Sequence, residues 1–333
     1  MKTKTVRFHE YGGPEVLRFD SVEVGEPAAG EVRVRIEAIG LNRAEAAFRS
    51  GHYIERAELP AKIGYEAAGV VEAVGPNVSN VSVGEAVCVM PSFSMNRYGV
   101  YAERAIVPSS ALLPRPSGLS VNECASIWMQ YLTAYGALVD IAHLSAGDAV
   151  IITAASSSVG IAAIQIANHQ KAVPIAVTRT AAKEARLREL GAAQVVVTER
   201  EKIEDAVLRV TANHGAKVAF DPIGGPIVAS LAAAMAPQGW LFLYGNLSGQ
   251  AQSTIFPFGP SVMKGFAMRG YVVFEIIHDQ LRFGRARKFV EEGLREGWLK
   301  PVIARTFSFE QIVEAHRYLE SNAQIGKIVA TVP

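Results

Sequence analysis

Cysteine is scarce: among 333 residues there are two, Cys88 and Cys124. That excludes a disulfide framework and a four-thiolate zinc lobe, and it fits a reducing, intracellular compartment. An excess of one charge is also missing. Thirty-three Lys and Arg stand against 32 Asp and Glu, a formal charge of +1, with no block of like charges. A nucleic-acid groove or a polybasic membrane patch therefore has no electrostatic basis. No apolar run approaches the roughly 18 residues needed to cross a bilayer, and the opening MKTKTVRFHE lacks the apolar core of a signal peptide. The expectation is a soluble, cytoplasmic protein with small-molecule partners, binding neither nucleic acid nor membrane.

What is present is core material. Half of the residues are hydrophobic and 20% are charged, enough apolar surface to bury and too little charge for disorder. The length exceeds the roughly 150 residues of one domain, so two domains are expected. The first 110 or so residues read as short strands broken by turns at Gly12-Gly13-Pro14, Pro27 to Gly30 and Gly75-Pro76-Asn77. In EVRVRIEAIG, Val32, Val34 and Ile36 alternate with Arg33, Arg35 and Glu37, the period of a strand with one buried face. A β-barrel or sandwich with a few helices is predicted.

Ser120 followed by Glu123 has capping-box spacing and predicts a long helix running through WMQYLTAYGALVDIA. From Asp148 apolar strands alternate with amphipathic helices (DAVIITA, SVGIAAIQIANH, VPIAVT, AAKEARLREL, QVVV, AKVAFD, GPIVASLAAAM, GWLFLYG). That pattern implies parallel βαβ units and a doubly wound α/β domain. After about residue 266, AMRGYVV, a helix near 280 to 296 and IGKIVATV could complete either domain.

VIITAASSSVG leaves the first strand of the α/β region and enters a helix, where a dinucleotide-binding turn belongs. Laid on G-x-G-x-x-G it reads Ala155, Ser156, Ser157, Ser158, Val159, Gly160. Only the last glycine survives, so an ordinary strand-to-helix turn stays open; small residues and serine hydroxyls nevertheless suit close approach to phosphate. At the end of the second strand stand Thr178, Arg179, Thr180 and Lys183, with no acid between 176 and 183. A cationic pocket accommodates a 2′-phosphate where an acid would repel it, which favours NADPH over NADH.

The ordered set GGPEVL, GLNRAE, IGYEAAGVVEAVG, LTAYGAL, SVGIAAIQIA, LRELGA, FDPIGG, YGNLSG and GKIV resembles the medium-chain dehydrogenase/reductase superfamily, in its zinc-independent quinone oxidoreductase branch. The resemblance spans essentially the whole chain. It implies a GroES-like β-rich catalytic domain formed by residues 1–124 and 267–333, a Rossmann domain over 125–266, and a cleft where nicotinamide meets substrate. Zinc-dependent members hold their catalytic metal with a Cys after the GLN-type strand and the His of a G-H-E motif. Here those positions read Asn42-Arg43 and Gly64-Tyr65-Glu66. Residues 92 to 110 lack the cysteines of a structural zinc lobe, and the seven histidines form no ligand-spaced pair. No zinc is expected.

Without a Lewis acid, hydride addition to a quinone or an activated alkene is less demanding than ketone reduction, because the charge spreads into an enolate that one or two donors can hold. The resemblance places Asn42 and Tyr53 in the substrate site. Tyr65, at the position of the absent histidine, is a third candidate donor, since a neutral phenol can hydrogen-bond an enolate or protonate it. Glu66 reads as structural, paired with a basic residue. Thr133 resembles the family threonine beside the nicotinamide ribose, and Tyr244, Gly245 and Asn246, at the end of a strand, should contact the nicotinamide half. Gly326-Lys327 reads as a turn into the last strand. Two other functions stay open, a metal-free carbonyl reductase and a non-catalytic nicotinamide-binding protein. An exposed edge strand within 240 to 273 would suit a homodimer, as in relatives.

Overall fold

A computed structural model describes residues 1–333. The chain forms two compact units, Met1–Met129 with Pro301–Pro333, and Gln130–Lys300.

The first unit is β-rich. Its larger sheet runs in the order Ile303–Ser308, Lys327–Thr331, Glu31–Leu41, Glu66–Val74, Ala86–Val89 and Leu112–Pro114, with Arg104–Pro108 also paired to Glu31–Leu41. Val32, Val34 and Ile36 are fully buried, as the alternation predicts. The register then shifts between Ile36 and Ala38, and Ala38, Ile39, Gly40 and Leu41 are all buried. A smaller sheet pairs Lys2–Phe8 with Leu17–Glu23 and Ala61–Lys62.

Ser120 does open a helix with a capping box, its hydroxyl accepting from the Glu123 amide while the Glu123 carboxylate accepts from the Ser120 amide. The helix is short, however: Val121–Cys124 stops and a second one, Trp128–Tyr135, begins. The break has a local cause. The amides of Ile127 and Met129 donate to the Glu66 carboxylate at 3.0 and 3.1 Å. The Ala125 carbonyl also lies where a Cβ on Gly40 would be, 1.9 Å away. Only glycine at position 40 lets this segment press on the sheet.

The second unit is a six-stranded parallel sheet in the order Gln194–Val197, Val173–Thr178, Ala149–Ile152, Ala216–Asp221, Met235–Leu243 and Ala267–Gly270. In sequence order this is 3-2-1-4-5-6, the doubly wound dinucleotide-binding arrangement. Every residue of Ala149–Ile152 is buried, as a central strand covered on both faces requires.

The boundaries differ from the expected 124/125 and 266/267. Residues 267–300 belong to the parallel-sheet unit, because Ala267–Gly270 adds to Met235–Leu243 as its sixth strand. The Arg282 and Arg285 guanidiniums then hold Asp140 at 2.7 and 3.0 Å. Four residues, Ala-Met-Arg-Gly, could not reveal which sheet they would join. No helix is long and apolar enough to cross a membrane.

Candidate active site

In the parallel-sheet unit most of the expected cofactor residues follow the strands Ala149–Ile152, Val173–Thr178 and Met235–Leu243, while Thr133 lies on a helix. Ser158–His169 is a helix, and Ser157 caps it, its hydroxyl accepting from the Gly160 amide at 3.0 Å. A Cβ on Gly160 would lie 2.7 Å from the Cα and carbonyl oxygen of Ala155, so the one retained glycine permits close packing of helix on strand. Ala154, just before the turn, adopts φ +46°, a left-handed conformation that costs a non-glycine residue energy. The turn brings the chain into the start of the Ser158–His169 helix, whose N-terminal end favours negative charge.

Across the crevice, Asp221 closes the neighbouring strand. It is fully buried. One oxygen accepts from the Thr153 hydroxyl and the other from the Gly224 amide at 2.7 Å. Thr153 follows the first strand and Asp221 ends the fourth, so the bond ties together the switch point of the sheet, where such folds bind ligands. Asp221 lies in the FDPIGG segment that supports the resemblance, but the sequence assigns it no role; the signal for one was the two glycines after it, Gly224 and Gly225, both at positive φ.

Lys183 donates to the Ser156 hydroxyl at 2.8 Å. Burial lowers its pKa, and the charge of Arg179 lowers it further. Arg179 is exposed, and Thr178 and Thr180 are half-buried. Lys183 thus reaches the turn, and the charge of Arg179 acts on it, an arrangement an anion would stabilise. Tyr244 stacks on Phe220 at 4.1 Å, and its buried hydroxyl has no hydrogen-bond partner. Asn246 accepts from the Ala251 amide at 2.8 Å, and Gly245 is exposed beside it. Thr133, on the Trp128–Tyr135 helix, is 7% exposed.

In the β-rich unit, Tyr53 and Tyr65 meet. Their ring centroids are 6.2 Å apart, and the rings continue to Phe48 on one side and Phe93 on the other. The two hydroxyls interact, and each phenol's ionisation is coupled to the other. Burial nevertheless dominates: it pushes the Tyr53 phenol up to about 12 and the Tyr65 phenol higher still. Both are neutral donors at ordinary pH. They differ in access, since Tyr65 is 1% exposed and Tyr53 half-buried.

Asn42 is engaged at both ends. Its amide nitrogen donates to the Gly40 carbonyl at 3.1 Å and to Glu45 at 3.2 Å, and its oxygen accepts from Lys327 at 2.5 Å. Lys327 also donates to Glu66 at 2.6 Å. Glu66 thus has the basic partner its sequence context suggested. Lys327 itself reads in the sequence only as a turn residue; the clue was a lysine leading into the apolar strand IVAT. Glu45 was likewise missed. It stands three residues after Asn42, the spacing of a capping box, but it accepts instead from the Asn42 side chain and from the Tyr65 amide at 3.2 Å.

Two family descriptions match this chain: "Alcohol dehydrogenase GroES-like domain" over residues 28–117 and "Zinc-binding dehydrogenase" over 158–291. A metal donor set does not accompany them. No group of three or more His, Cys, Asp or Glu side chains could hold a metal ion. Among curated proteins, a quinone oxidoreductase of Lama guanicoe is 30% identical over 98% of this chain and 96% of its own. A 2-haloacrylate reductase of a Burkholderia species is 28% identical over 96% of both. Among solved structures, Escherichia coli quinone oxidoreductase complexed with NADPH superposes with a TM-score of 0.91, at 25% identity, over 98% of this chain and 99% of that one.

Proposed function

Because the chain belongs to the quinone oxidoreductase-like branch of the medium-chain dehydrogenase/reductase superfamily, we propose that it is an NADPH-dependent oxidoreductase that works without zinc. It transfers hydride to a quinone or to the activated C=C bond of an α,β-unsaturated carbonyl compound. When bound, NADPH supplies the hydride.

The observation that carries the cofactor choice is Lys183 on the Ser156 hydroxyl with the charge of Arg179 acting on it, in a segment with no acid between 176 and 183. These three side chains would hold the 2′-phosphate. The amides of Ser158 and Val159 would hold the pyrophosphate, in a turn shaped by Ala155, Ser157 and Gly160, whose own amides are engaged within the protein, with Thr178 beside the adenosine ribose. Thr133, Tyr244, Gly245 and Asn246 would line the nicotinamide half.

Substrate chemistry rests on the tyrosine pair. As negative charge builds on the substrate oxygen, Tyr53 would donate to it, and a hydrogen bond from Tyr65 to Tyr53 would strengthen that donation. Asn42 serves the site by fixing Glu45 and Lys327 rather than by offering a free amide. Two phenols suit a delocalised enolate or hydroquinone oxygen better than the localised alkoxide of ketone reduction. The 2-haloacrylate reductase among the relatives supports an alkene acceptor.

The unpaired edge strand Ala267–Gly270 and the exposed Ile255, Phe256, Phe258, Val262 and Met263 support a homodimer joined edge to edge. Two buried free thiols suit a cytoplasmic setting. An NADPH-oxidation screen across quinones, enones, enals and simple ketones, with metal analysis of the same sample, tests the proposal. Turnover confined to ketones would make the protein a carbonyl reductase. Tight NADPH binding with no turnover at all would make it a binding protein.

A further inference from the structure

Glu45 is completely buried. One carboxyl oxygen accepts from the Asn42 side chain and the Tyr65 amide; the other has no hydrogen-bond partner. The cation whose charge acts on it, Lys327, is already committed. Its ammonium sits 2.6 Å from Glu66, whose other oxygen takes the amides of Ile127 and Met129. Two carboxyls therefore share one buried cation, and Glu66 has the better claim on it. With both ionised, the cluster would carry an uncompensated negative charge in a dry interior, which is costly.

The groups facing Glu45 come from every element around it. Lys327 lies on the last strand, and Tyr65 and Glu66 at the start of the Glu66–Val74 strand. Tyr53 follows the Arg43–Arg49 helix, and Tyr101 precedes the Arg104–Pro108 strand. Lys327 alone pulls Glu45 towards ionisation by its charge. A negative charge on Glu45 would in turn raise the phenols of Tyr53, Tyr65 and Tyr101. Tyr101 has its hydroxyl buried without a partner, so it does not relieve the charge.

We propose that Glu45 is a positioning residue that must stay protonated for turnover: neutral, it holds the Tyr65 backbone without opposing charge at the Tyr53–Tyr65 pair, and ionised, it repels the negative charge that the pair must stabilise. The proposal rests on the hydride-transfer function above. Burial, only partly offset by Lys327, pushes the Glu45 carboxyl up to about 7, so the switch falls in the physiological range.

The test is E45Q, whose amide oxygen can still accept from Asn42 and Tyr65 but cannot ionise. With NADPH and an enone, wild-type kcat should fall about ten-fold, the effect of ~1.4 kcal/mol, as pH rises through about 7, with KM little changed. E45Q should lack that limb, and E45D, still ionisable, should keep one. A second readout needs no cofactor. The alkaline phenolate absorbance of Tyr53, taken as the difference from Y53F, should move to lower pH in E45Q because the opposing charge is gone. An alkaline limb unchanged in E45Q, a limb absent from E45D, or a Tyr53 titration that E45Q does not move would each overturn the proposal. If no acceptor is turned over, the functional assignment fails while the phenolate titration still decides the coupling.

Discussion

Lys327 and Glu66, 261 residues apart in the chain, form an ion pair of 2.6 Å with side chains 1% and 0% exposed. The pair joins the last strand to the Glu66–Val74 strand, and through Glu66 it anchors the break after Cys124. Removing one partner leaves a buried charge uncompensated, so K327M should destabilise the protein by about 3–5 kcal/mol. The double variant K327M/E66Q should recover a large part of that loss. Urea unfolding of both variants measures the difference, and an equal loss in the two would mean that the charge is not what matters.

The tyrosine pair gives graded expectations. Y53F keeps the ring and removes the donor nearer to solvent, so kcat with an enone should fall about 10²- to 10³-fold with KM little changed. Y65F acts through Tyr53 and should cost about ten-fold. Steady-state kinetics of both variants checks the order; unchanged turnover in both would discard the tyrosine mechanism.

Arg179 should discriminate between cofactors. Losing one charge-assisted hydrogen bond of roughly 1.5 to 3 kcal/mol weakens NADPH binding about ten-fold or more in R179A. NADH, which lacks the 2′-phosphate, should be nearly unaffected. Equal loss for both cofactors in a calorimetric or fluorescence titration would remove the 2′-phosphate assignment.

Stability should carry the signature of Glu45. Its carboxyl is raised from 4.5 to about 7 in the folded protein. The folded state therefore keeps a proton that the unfolded state releases. The stabilisation is complete below the unfolded value and is lost as pH rises through the folded one. The span corresponds to about 3 kcal/mol. Subtracting the pH dependence of E45Q unfolding from that of wild type should expose this loss between those two values. A flat difference would show that Glu45 is ionised throughout.

Much of the parallel-sheet unit was legible in the sequence, because strand and helix announce themselves by different periods and Ser157, Gly160, Arg179 and Lys183 are close in sequence. The Val32, Val34, Ile36 alternation was equally plain. What remained hidden depends on distant pairing. Lys327 looks like a turn residue until the last strand is laid beside Glu31–Leu41, which brings its ammonium to Asn42 and Glu66. Glu45 looks like a cap until Tyr65 folds over it. The sheet to which Ala267–Gly270 belongs is decided by its partner Met235–Leu243 and not by its own four residues.

Hydride transfer to carbon is the central claim, and stereospecifically deuterated NADPH tests it most directly. With an α,β-unsaturated ketone as acceptor, the label should appear at the β-carbon of a saturated ketone, with little transfer to the carbonyl carbon. Deuterium on the carbonyl carbon of an allylic alcohol would contradict it.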